Sequence, residues 1–102
     1  MTNSNNIEKI FSIYDKKMES FQSPFVAVNA KVAVRSLEDF LKSPNAGIIA
    51  AHPSDFALYE IGSWQAGAGI VDILREKVVD VADLIQLGDW SDNDATPKSE
   101  VE

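Results

Sequence analysis

The sequence predicts an α+β fold: a small antiparallel sheet of about four strands with one amphipathic helix, residues 30–42, packed on it. Three observations carry that prediction. Ala30, Ala33, Val34, Leu37, Phe40 and Leu41 recur at spacings of three and four, the period of a helix with one buried stripe. Residues 9–17, 56–61 and 70–74 are short runs rich in Ile, Val, Phe and Tyr, and the last two flank a glycine-rich segment, as strands of a hairpin do. The chain has 102 residues, 45% of them apolar and 25% charged, which suits one globular domain and not two.

Residues 9–17 (KIFSIYDKK) read as the first strand. Phe11 and Ile13 share one face, and Ile10, Tyr14 and Lys16 the other, so apolar groups on both faces place it inside the sheet. Residues 18–28 (MESFQSPFVAV) continue extended, because Pro24 steers Ser23 away from helix and removes one ladder donor. Asn29 is the expected helix N-cap. Lys31, Arg35, Glu38, Asp39 and Lys42 lie off the apolar stripe, with Arg35 and Asp39 spaced as an i,i+4 ion pair. Ser43, Pro44, Asn45 and Gly47 stop the helix.

Residues 48–51 (IIAA) read as an apolar connector, and His52-Pro53-Ser54-Asp55 as a turn. Residues 56–61 (FALYEI) form the next strand, 62–69 (GSWQAGAG) a glycine-rich hairpin loop, and 70–74 (IVDIL) the returning strand. Residues 78–87 mix two periods and read as a strand to about Val81, then a helical turn before Gly88.

Charge divides the chain. Nine basic and sixteen acidic residues give a net −7. Residues 89–102 (DWSDNDATPKSEVE) hold five acids and one lysine, a net −4, with too little apolar surface to offset the entropy of ordering them. Residues 8–88 are therefore expected to form a single domain, with residues 1–7 and the acidic 89–102 as flexible ends. A domain this small buries a modest fraction of its surface, which favours a homo-oligomer.

Much chemistry is excluded. There is no cysteine, hence no disulfide, thiolate site or cysteine nucleophile, and one histidine cannot build a multi-histidine metal site. Ser54, His52 and Asp55 crowd one tight turn, where side chains bond to nearby backbone instead of converging on a substrate. Gly62, Gly67 and Gly69 do not spell a dinucleotide fingerprint. The carboxylates of DWSDND do not make a calcium loop, since Asp94 occupies the sixth position, which requires glycine. No apolar run approaches the roughly 20 residues that span a bilayer, and the start MTNSNNIEK has no secretory pattern. The expectation is a non-enzymatic protein without metal or cofactor and without a membrane association.

Several segments, in order, resemble the small nonstructural protein family of gokushoviruses, the single-stranded-DNA phages of the Microviridae. They are Phe11-Ser12-Ile13-Tyr14-Asp15-Lys16-Lys17, the pair Pro24-Phe25, Asn29 with Ala33-Val34-Arg35, and His52-Pro53-Ser54-Asp55-Phe56-Ala57-Leu58-Tyr59-Glu60-Ile61-Gly62. The resemblance covers about residues 10–62, and the sequence departs from the family pattern at 63–69, SWQAGAG, where relatives carry an acidic turn. It implies a nonstructural protein of the host cytoplasm that acts in genome synthesis or packaging and binds DNA, with no catalytic residues attached.

The residues available for that role are Lys16 and Lys17 on the first strand and Lys31 and Arg35 on the helix, for phosphate, with Tyr14 and Trp64 to stack on bases of single-stranded DNA. Trp64 is favoured by its place in a glycine-rich loop. The reading requires these cations to gather in one strip despite the net negative charge. The alternative is an adaptor that recruits phage replication or assembly proteins without touching DNA, which the acidity favours. A mobile acidic tail competing with nucleic acid for a basic groove is a further expectation.

Overall fold

The fold is that of a computed structural model in which residues 7–87 are described. The chain runs β1 (Ile7–Asp15), β2 (Ser20–Phe21), β3 (Phe25–Ala27), α1 (Ala30–Leu41), α2 (Gly47–Ala51), β4 (Phe56–Gln65), β5 (Gly69–Asp80) and α3 (Val81–Leu87). Single 3₁₀ turns, Pro44–Ala46 and Pro53–Asp55, precede α2 and β4. The expected flexible ends lie outside the described residues, apart from Ile7, which opens β1 opposite Gln65.

The architecture is α+β, with five antiparallel strands in a sheet four positions wide. The order is β2–β1–β4–β5, and β3 shares the β1 edge with β2. Phe21 lies opposite Tyr14, and Phe25 opposite Phe11. The two short strands are one extended segment broken at residues 22–24, where Pro24 offers no donor. Ser12, fully buried, donates its hydroxyl to the Gln22 carbonyl at 2.7 Å and ties the break to β1.

One core fills one face of the sheet. Phe11 and Ile13 from β1 and Phe56 and Leu58 from β4 meet Ala33, Leu37 and Leu41 of α1, Ile49 of α2, and Val81 and Leu84 of α3. Each fully buried Phe, Leu or Val contributes about 1.5–3 kcal/mol. The apolar stripe of α1 is buried as its spacing predicts, and Asn29 caps the helix by accepting from the Val32 N–H at 2.9 Å.

Two segments differ from the sequence expectation. Residues 48–51 are not a connector but lie in the helix α2, because Ile49 has a core position to fill. Residues 62–69 are not a loop. β4 continues to Gln65, β5 returns from Gly69, and only residues 66–68 connect them. Gly69, at φ 84°, supplies the left-handed residue of this connection. Gly62 is glycine for a different reason: a Cβ there would lie 2.6 Å from the Asp72 carbonyl oxygen on β5. That close approach accompanies three register shifts between β4 and β5, the mark of a bulged, twisted strand. The last ambiguity resolves as strand to Asp80 and helix from Val81.

Candidate nucleic-acid interface

The face of the sheet away from the helices is built by strand alternation. Phe11 and Ile13 point into the core, so Tyr14 points to the other side. Tyr14 lies opposite Phe21 on β2 and Ala57 on β4, and Ser12 lies opposite Tyr59. Three rings therefore come together. The Tyr14 and Phe21 centroids are 4.8 Å apart, and Tyr59 stands 5.6 Å from each, edge-on, the geometry that ring quadrupoles favour.

Arg75 of β5 covers them. Its guanidinium carbon lies 5.0 Å from the Tyr14 centroid, 5.3 Å from Phe21 and 5.8 Å from Tyr59, all within cation–π range. Arg75 is exposed and forms no ion pair among the described residues. Two lysines stand beside the rings. Lys77 lies opposite Tyr59 in register, and Asp80 opposite Ala57. Lys16 Nζ donates to Asp80 Oδ1 at 3.0 Å and to the Ser54 carbonyl at 3.1 Å, and Lys77 Nζ donates to Asp80 Oδ2 at 2.9 Å. Hydrogen bonds from Lys77 and then Lys16 hold the Asp80 carboxyl below its ordinary value, and Asp80 raises Lys77 in turn. Arg75, Lys16 and Lys77 outnumber Asp80 and Asp83, the two carboxylates whose charge acts on Lys77, on a chain of net −7.

The structure distributes the residues named from sequence. Tyr14 and Lys16 belong to this patch. Lys17 follows in the exposed β1–β2 turn, its N–H bonded to Asp15 Oδ1. Lys31 and Arg35 are exposed on α1, in the helical layer on the opposite side of the sheet, so the cations do not form one strip. Arg35 and Asp39 form no ion pair among the described residues. Trp64 is not a loop residue: it sits in β4 opposite Glu8 and Ile70, and its Nε1 donates to Glu8 at 3.2 Å. Phe21, Arg75 and Lys77 were missed. Arg75 and Lys77 lie in the part of β5 beyond residue 74, where the alternation is broken by bulges.

Other sites offer less. A cleft of about 360 Å³ between α1, α2 and the 22–25 segment is lined by Phe25, Leu37, Phe40 and Ile49, and no titratable side chain enters it. His52 is exposed at the end of α2. Among the described residues no three of His, Cys, Asp and Glu come together as a metal site requires, and no helix is long and apolar enough to cross a membrane.

The family model described as Phage ORF5 protein matches residues 8–87, spanning all the elements above save the first residue of β1. The chain belongs to this phage protein family. No curated protein and no solved structure matches it.

Proposed function

We propose that this phage protein is a non-enzymatic accessory factor of the gokushovirus type that binds single-stranded DNA weakly in the host cytoplasm, during genome synthesis or packaging. The supporting observation is the Arg75 guanidinium lying over Tyr14, Phe21 and Tyr59 on the sheet face that carries no helix, with Lys16 and Lys77 alongside. Bases stack on aromatic rings and on guanidinium planes, at about 1–3 kcal/mol per base, and single strands alone present their faces for it. The lysines supply phosphate contacts. The net −7 keeps the long-range field unfavourable, which makes the binding weak and local. Anisotropy of a labelled oligo-dT, titrated at about 50 and 200 mM salt, tests this. Affinity should fall with salt and exceed that for a duplex of equal length. No binding at either salt ends the reading.

An adaptor role is the second reading, and one observation favours it. The β4–β5 hairpin exposes Ile70, Val71 and Ile73, the last 84% accessible, on an edge strand. The bulges of β5 disfavour strand addition there, so a protein partner would dock on these side chains. Light scattering of the wild type and Ile73→Ser measures this. An oligomer lost in the variant, together with no oligonucleotide binding, would put the adaptor first.

A further inference from the structure

We infer that Asp80 is a built-in competitor for phosphate: its carboxylate occupies, in the free protein, the place between Lys16 and Lys77 that a DNA phosphodiester takes on binding. The inference rests on the single-strand-binding reading and specifies how that site is regulated. A carboxylate and a phosphodiester each present two equivalent oxygens bearing one negative charge. Asp80 gives one oxygen to each ammonium, at 3.0 and 2.9 Å, so the two lysines are already spaced to grip one two-oxygen anion.

The site is accessible. The side chains of Lys16, Lys77 and Asp80 are 43%, 49% and 27% exposed. Lys16 keeps a second anchor on the Ser54 carbonyl, which holds its ammonium in place if the carboxylate swings away. The position relative to the rings is fixed by register: Asp80, Ala57 and Tyr14 lie in one cross-strand row, and Lys77 and Tyr59 in the next. A strand whose bases stack at Arg75 and the rings thus brings its phosphates to the lysine pair. A polyanion that cannot stack must displace a tethered carboxylate without compensation. Asp80 consequently sets a threshold that stacking strands pass and bare phosphates do not.

Asp80→Asn tests this, measured with oligo-dT and an equal-length duplex beside Asp39→Asn, which removes the same charge from α1. The variant should bind oligo-dT several-fold tighter than wild type at about 50 mM salt, with a salt slope at least as steep, since the lysine pair meets the same phosphate in both proteins. The duplex should gain as well, and Lys77→Gln in the Asp80→Asn background should abolish the gain. Wild type binding with no gain in Asp80→Asn overturns the competitor and leaves the binding face standing. An equal gain in Asp39→Asn also overturns it, since net charge would then be the cause. Absence of binding in wild type and Asp80→Asn alike overturns both.

Discussion

Arg75 gives the sharpest test of the proposed binding face, because one side chain serves both its stability and its proposed chemistry. Arg75→Ala removes a guanidinium lying 5.0–5.8 Å from three ring centroids. An exposed cation–π contact is worth about 0.5–1 kcal/mol. The three contacts share one charge and one pose, so they do not add, and the expected loss of stability is about 1 kcal/mol. For a domain of this size that lowers Tm by roughly 4–8 °C. The effect on binding is larger. Loss of one stacking partner, at about 1–3 kcal/mol, weakens oligo-dT by roughly 5- to 150-fold. Arg75→Lys separates plane from charge: it keeps the cation but loses the flat surface. Its salt slope should match wild type while its affinity falls towards that of Arg75→Ala. Thermal unfolding and anisotropy on the three proteins supply both numbers. A lysine variant that binds as wild type does would refute the stacking role, and an alanine variant of unchanged stability would refute the cation–π contacts.

Three further predictions concern the frame of the site. Gly62→Ala places a methyl group 2.6 Å from the Asp72 carbonyl oxygen, and should cost about 1–3 kcal/mol in urea unfolding by forcing β4 from β5. Asn29→Ala removes the cap on the Val32 N–H and should cost about 1 kcal/mol, while Asn29→Asp should restore it. The Asp80 contacts set a pH dependence. Because the folded-state carboxyl is held low, their stabilisation is present above the ordinary aspartate value and disappears as pH falls through the depressed one. Because Lys77 is raised, its share persists up to the ordinary lysine value and is lost as pH rises through the raised one. The Tm difference between wild type and Asp80→Asn should therefore be present at neutral pH and vanish in acid.

The parts of the fold legible in the sequence were those set by local pattern. The stripe of α1, its Asn29 cap, the strand character of β1 and the strand-to-helix switch near Val81 all follow from spacing and cap chemistry. The β4–β5 hairpin was legible as a pair of strands, but its length was not, because its glycines answer to a neighbouring strand. Nothing near Gly62 in the chain reports the Asp72 carbonyl ten residues on. Trp64 was misplaced with it. Of the proposed binding face, Tyr14 and Lys16 were visible as a stacking and a phosphate candidate on the first strand. Arg75 and Lys77 were not, since bulges in β5 break the period of two that would have assigned them a face. The helix pair Lys31 and Arg35 shows the converse: spacing placed them correctly on one helix face, but not which side of the sheet that helix covers.

Backbone amide shift mapping with oligo-dT examines the central claim most directly, because it locates the bound strand. The account predicts perturbations at Tyr14, Phe21, Tyr59, Arg75 and Lys77, with Lys31, Arg35 and Ile73 unmoved. Shifts confined to α1 or to the tip of the β4–β5 hairpin would contradict it.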